Sequence, residues 1–245
     1  MANDTATFPD APLALPPAQL EALQAAYCTP PRAYHGWSHV QEVLRHYADV
    51  EAGPGWTHPG EAWLAVLYHD AVHEARRRDN EARSARLATE HIGRWLPDAG
   101  LDAGRVARLI ELTARHGQHA PGDLGNGPEA DDTRHFLDCD MAILGAEEAA
   151  FDAYHRAIAE EYRGHVPGWL FRRNRQRFLR ALLESPRIFL SELFHRRYDA
   201  RARENLAPYD GGNVFANPNT STTTDAVAGK PSAPNAGKAG NEDDQ

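Results

Sequence analysis

A chain of 245 residues with 42% hydrophobic content and a formal net charge of −9 is long enough to bury a sizeable core, and too acidic for wholesale binding of nucleic acid. Its two cysteines, Cys28 and Cys139, form no C-x-x-C pair; this argues against a disulfide framework or a thiolate zinc site and makes a reducing, cytoplasmic setting the expectation. No run reaches the ~18 apolar residues of a membrane span, and Pro9, Pro12, Pro16 and Pro17 interrupt an N-terminus that lacks the basic start of a secretory signal.

Residues 1–17, rich in Pro and Ala, are expected to form an irregular arm. Residues 19–27 read as a short helix with Leu20 and Leu23 on one side, stopped by Thr29-Pro30-Pro31. Ser38, followed three residues later by Gln41, has the spacing of a capping box, which puts His39 in the first turn of a helix. Val40, Val43, Leu44 and Tyr47 form its apolar stripe, and Gly53-Pro54-Gly55 ends it. Residues 61–78 read as one mostly apolar helix containing Leu67-Tyr68-His69-Asp70-Ala71-Val72-His73. Such a run belongs in the core, where a buried carboxylate needs a cation or several hydrogen bonds.

Asp79-Asn80 is positioned to cap a helix running to Trp95, with Leu87, His91 and Trp95 on one face. Asp102 opens another, with Val106, Leu109, Ile110 and Thr113 inward, His116 at its end and Gly117 as its stop. Residues 117–128 read as a Gly/Pro-rich loop, a candidate mobile cover over a site. Helical patterns resume at 133–144 with Asp138-Cys139-Asp140, at 147–163 with Phe151, Tyr154, Ile158 and Tyr162 aligned, at 169–183 and at 187–205. No strand pattern or internal repeat stands out. The expectation is an all-α, single-domain bundle of roughly eight to ten helices over residues 18–207, with residues 208–245 a disordered tail too poor in large apolar residues to fold.

Four of these segments carry metal-type donors beside apolar stripes: His39, His69-Asp70, His116, and Asp138 or Asp140. Mixed imidazole and carboxylate ligation suits a divalent Zn, Mn, Fe, Co or Mg ion, and bundles build such centres from facing helices. Asp138 and Asp140 are two residues apart, so on a helix their side chains diverge by about 200° and only one is expected at the ion.

The ordered set resembles the HD superfamily of metal-dependent phosphohydrolases, and within it a bacterial subgroup described as predicted metal-dependent HD phosphohydrolases. The features that carry the resemblance begin with Tyr34-His35-x-x-x-His39, His69-Asp70-Ala71-Val72 and Asn80-Glu81 with Ser84-Ala85. They continue with Thr113-x-x-His116, Asp138-x-Asp140 running on to Leu144-Gly145, Glu161-Tyr162, and Ala202-Arg203-x-Asn205-Leu206. Together they span residues 20–207.

The resemblance implies an HD-type helical fold in which His39, His69, Asp70 and Asp140 hold a divalent metal ion. It implies metal-activated hydrolysis of a phosphate ester, with a small phosphorylated substrate, a nucleotide by expectation, and neither membrane nor long nucleic acid as partner. Asp70 and Glu81 are the candidate proton acceptors; a first-turn acid favoured by the helix dipole explains Glu81 equally well. His35, His116, Asp138 and Arg175 are candidates for the substrate or a second metal. His35 reads equally as an exposed loop residue, His116 as a positive group at a helix C-terminus, and Asp138 as a residue that orients a ligand His or caps a neighbouring helix. Arg175 belongs to a basic cluster with Arg172, Arg173, Arg177 and Arg180, most of which read as a solvated helix face; where the subgroup often has Gly-Arg, this chain has Arg-Asn-Arg.

Three other readings use the same residues. An HD-fold di-iron oxygenase would draw further ligands from His73, His91, His116 and His119. A zinc peptidase would use His69-Asp70-x-x-His73 as a variant of H-E-x-x-H, with His73 otherwise at the surface or behind the ligands. A non-catalytic metal- or nucleotide-binding module would keep the pocket without turnover.

Overall fold

In the computed structural model, residues 11–209 are described. Among them the fold is all-helical and without strands, and they fall within one unit of the chain. The α-helices are α1 (Pro17–Cys28), α2 (Trp37–Ala52), α3 (Pro59–Tyr68), α4 (Asn80–Trp95), α5 (Ala103–Leu112), α6 (Pro128–Met141), α7 (Glu148–Glu161), α8 (Gly168–Glu184) and α9 (Glu192–Leu206). Short 3-10 turns at Thr113–Arg115, Pro121–Leu124, Ala142–Gly145 and Ala207–Tyr209 join or extend them. No helix among the described residues is long and apolar enough to cross a membrane. Residues 1–10 of the expected arm and 210–245 of the expected tail lie outside the described residues. The folded part runs two residues past the expected edge at 207: Tyr209 is buried, its ring 4.7 Å from that of His155.

The chain is built around α3. Trp63, Leu64, Val66, Leu67 and Tyr68 are each at most 2% exposed, contributing on the order of 1.5–3 kcal/mol apiece by burial. A helix apolar on every side must be surrounded, and α2, α4, α5 and α6 pack on it. Its one buried hydroxyl is satisfied: Gln19 Nε2 donates to Tyr68 Oη at 3.1 Å, and Tyr68 Oη lies 3.0 Å from His91 Nδ1.

The helix expected over 61–78 stops at Tyr68 instead, with His69 as its C-cap residue. Distant side chains take the groups that would have continued it. His69 Nδ1 contacts the Val66 carbonyl at 2.8 Å, and Tyr27 Oη donates to that of Leu67 at 2.9 Å. Arg32 donates to the carbonyls of Asp70 and Ala71 at 2.5 and 3.0 Å. Beyond the turn, Ser84 Oγ accepts from Val72 N–H and donates to its carbonyl, and Asn80 makes the same paired contact with Glu74. The apolar run carried a helical pattern; the stop comes from orphan carbonyls satisfied across the fold.

Helix α2 starts at Trp37, with Gly36 at the N-cap and no side-chain cap, so Ser38 lies inside the first turn rather than capping it. Asp102 does cap α5, accepting from Arg105 N–H. The chain then passes through a 3-10 turn to Gly117, whose φ of +71° allows the reversal. The 117–128 segment is not a cover over the donor cluster: Arg134 of α6 donates to the carbonyls of Pro121 and Gly125, and Leu124 faces α5.

Buried carboxylates tie helices to the segments before other helices. On α6, Asp132 accepts from Thr57 N–H and His58 N–H at the head of α3, at 2.9 and 2.8 Å. Asp138 accepts from Leu190 N–H and Ser191 N–H at the head of α9, at 2.8 and 2.7 Å. Glu161, ending α7, accepts from Tyr34 N–H and His35 N–H before α2. Where α6 gives way to the Ala142–Gly145 turn, Gly145 meets α9 so closely that a Cβ there would lie 2.6 Å from Tyr198 Cβ.

Candidate metal centre

Four of the sequence-selected side chains converge where α2, the end of α3 and the end of α6 meet. His39 comes from the first turn of α2, His69 and Asp70 from the turn closing α3, and Asp140 from the last turn of α6. His39 Nε2 lies 3.1 Å from His69 Nε2, 3.0 Å from Asp140 Oδ1 and 3.6 Å from Asp70 Oδ2. His69 Nε2 lies 3.1 Å from Asp70 Oδ2 and 3.6 Å from Asp140 Oδ1. Bonds of about 2.1 Å to one ion would set neighbouring ligand atoms roughly 3.0 Å apart in an octahedron and 3.4 Å in a tetrahedron, which matches this spacing.

Electrostatics agrees with that geometry. With its Nδ1–H directed at the Val66 carbonyl, neutral His69 presents a bare Nε2 lone pair to the cluster. Both rings are buried. Burial opposes charge throughout, yet the surrounding histidines, His69 foremost, together outweigh it at Asp70 and Asp140 and hold both carboxyls below the usual range. The two carboxylates in turn raise His69 well above an ordinary imidazole. Two acids and two imidazoles thus share a deficit of positive charge, which suits a divalent ion.

A second group lies beside the first. His35 and His73 stack with centroids 4.1 Å apart, and both face Glu161 Oε1, at 2.5 Å from His35 Nδ1 and 2.9 Å from His73 Nε2. Burial would raise the Glu161 carboxyl, but the hydrogen bond from His35, the adjacent His73 imidazole and the Tyr34 N–H hold it far below its usual range. The ring of His35 is 5.9 Å from that of His39. His73, expected at the surface or behind the ligands, is instead a buried member of this second group. With α3 ended at Tyr68, His69 and His73 share no helix, which removes the geometry of a zinc-peptidase motif.

His116 meets the first cluster at the other oxygen of Asp140, its Nε2 2.7 Å from Asp140 Oδ2 but out of line for a hydrogen bond. Asp138 does not join: both its oxygens are committed to the head of α9, the capping role open to it from the sequence. Burial pushes its carboxyl up to about 7 against those donors. Glu81 sits half-buried in the first turn of α4, and its charge is felt at Tyr162 together with those of Glu161 and Asp70. His91 contacts Tyr68 Oη and packs on Trp95, and His119 contacts the Leu112 carbonyl, so neither reaches the donor groups.

A cleft of about 200 Å³ opens beside the cluster, with His35, His116 and Asp140 on its wall; no residue from 118 to 128 lines it. Tyr34, Tyr154, Tyr162 and Phe178 make it aromatic. Arg175 lies in it against Tyr154 and Phe178, its guanidinium carbon 4.9 and 5.4 Å from the ring centroids. Arg175 Nε and Nη2 are buried without a hydrogen-bond partner. By contrast, Arg172, Arg173, Arg177 and Arg180 are exposed on α8.

Arg32 drew no attention from spacing or type. Besides the turn at Asp70 and Ala71 it donates to the carbonyls of His35 and Ala26, each at 2.9 Å, which ties both donor groups to one guanidinium. Only its place just before Tyr34-His35 could have pointed to it. Comparison with protein-family models, curated proteins and solved structures returned no match.

Proposed function

We propose that the chain is a metal-dependent phosphohydrolase that cleaves a small phosphate ester, with nucleotides the expected substrate class. The observation that carries this reading is Arg175: a half-buried arginine whose Nε and Nη2 are buried without a hydrogen-bond partner, in a cleft with His35, His116 and Asp140 on its wall. Buried cationic donors call for an anion, and a forked guanidinium matches phosphate oxygens. The aromatic wall offers faces on which a nucleobase can stack.

His39, His69, Asp70 and Asp140 would hold the divalent ion. When bound, the ion polarises the phosphoryl group and lowers the pKa of a water on it. Arg175 holds the phosphate and offsets charge developing on it. Asp70, kept ionised by its histidines, orients the attacking water by accepting a hydrogen bond from it. His116, on the cleft wall beside Asp140, and Glu81, in the first turn of α4, are our candidates to take or return a proton. Of the four histidines a di-iron oxygenase would recruit, His91 and His119 are engaged elsewhere, and nothing in the donor groups favours a pocket without turnover.

The test is phosphate and nucleoside release from a broad nucleotide panel, with Mn, Mg, Co, Fe(II) and Zn supplied in turn, beside Asp70→Ala. Metal-dependent release by the wild type and none by Asp70→Ala is expected. Full activity in Asp70→Ala, or silence across the panel with metal bound, would overturn the proposal.

A further inference from the structure

We propose that His35, His73 and Glu161 form a second divalent-metal site next to the first, so that the cleft holds a pair of ions. One ligand atom from each of the three lies within 4.8 Å of the others. His73 is 9% exposed, and its Nε2 has no aligned hydrogen-bond partner although Glu161 Oε1 is 2.9 Å away. A nitrogen and an oxygen 2.9 Å apart with no hydrogen bond between them have the spacing of two ligands on one ion, and His35 Nδ1 hydrogen-bonds the same oxygen, which an ion would replace.

The rest of the group is fixed in place. Glu161 Oε2 is held by two backbone N–H groups, leaving Oε1 to face the rings. Arg32, on the carbonyl of His35 and those of Asp70 and Ala71, locks the two donor groups in one frame. Two imidazoles and one carboxylate are a donor set used for zinc in catalytic sites, and one that Mn, Fe and Co also accept. The second ion would face the same cleft and give the phosphate a second cationic neighbour.

This inference deepens the phosphohydrolase reading, but its test does not depend on turnover. Metal-stripped full-length protein is loaded with Mn(II) alone, freed of excess ion, and its metal counted by elemental analysis. The wild type is expected to hold two equivalents. His73→Phe keeps the ring stack and removes the ligand nitrogen; Glu161→Gln keeps an acceptor for the backbone and removes the charge. Each is expected to hold one. If Glu161→Gln does not fold, His73→Phe decides alone. A wild type that saturates at one equivalent, or two equivalents retained in His73→Phe, would overturn the second site. Two equivalents without hydrolysis of any phosphate ester would leave the second site standing and remove the phosphohydrolase reading.

Discussion

Arg32→Met is the substitution that most directly tests how the turn at His69 and Asp70 is held. It keeps an apolar stem against Tyr27, over whose ring the guanidinium lies at 5.3 Å, and removes every donor. Four carbonyls lose a partner: those of Ala26, His35, Asp70 and Ala71. Only Asp70 and Ala71, which form the turn itself, are counted. At roughly 1–2 kcal/mol for each part-buried acceptor left unmade, the loss is about 3 kcal/mol. In a domain of this size that is roughly 6–12 °C in Tm. The assay is urea unfolding by linear extrapolation at matched metal content, with Mn(II) counted in the same samples. The midpoint should fall with m unchanged, and bound Mn(II) should fall with it. An Arg32→Met protein within about 0.5 kcal/mol of the wild type, the scatter of ordinary surface substitutions, and with full metal content, would refute the idea that this residue holds the turn.

Three further outcomes are expected. Arg175→Met should lower kcat/KM for a phosphate ester by about 10²–10³-fold, the scale of losing one preorganised donor to developing charge; an unchanged kcat/KM in steady-state kinetics would detach Arg175 from the phosphate. Gly145→Ala should cost about 1–3 kcal/mol by overpacking, because Tyr198 Cβ and the Tyr198 carbonyl oxygen would lie 2.6 and 2.8 Å from the new methyl, whereas Gly36→Ala meets nothing within 4 Å; chemical denaturation of the pair reads the contrast. His155 has its pKa lowered to about 4, by burial first and then by Arg175. The folded state therefore resists a proton that the unfolded chain accepts near its ordinary value of about 6.5, so stability is full above that pH and falls as the pH drops toward 4. Discounted for solvent screening at a half-exposed ring, the loss is about 1–2 kcal/mol. Unfolding of His155→Phe between pH 7 and 4 should lack that component of the slope; equal slopes would discount it.

Periodicity made the helices legible, and a long, mostly apolar run marked α3 as central. Residue type in order along the chain offered His39, His69-Asp70, His116, and Asp138 or Asp140 as donors, and the family resemblance implied His39, His69, Asp70 and Asp140 among them. The two-residue offset between Asp138 and Asp140 correctly implied that they face apart. What sequence could not give was anything decided by distant partners. The turn after Tyr68 looked helical because its residues are apolar; it is a turn because Tyr27 and Arg32, 40 and 38 residues from the carbonyls they hold at Leu67 and Asp70, occupy them. His73 looked peripheral because Glu161, its partner, comes from α7. Arg175 could not be told from four neighbouring arginines until α8 was seen to set it against the rings of Tyr154 and Phe178.

Helix α6 carries carboxylates at 132, 138 and 140 that reach, in turn, the head of α3, the head of α9 and the donor cluster. Each residue step along a helix is about 100° of rotation and 1.5 Å of rise, so a slip of α6 by one position would cast off all three moorings together. The helix therefore has one register or none. A chain that has brought Asp140 to the two histidines has, by the same act, seated the starts of α3 and α9, and the geometry of the centre is inherited in part from the docking of α9, a helix that contributes no ligand to it.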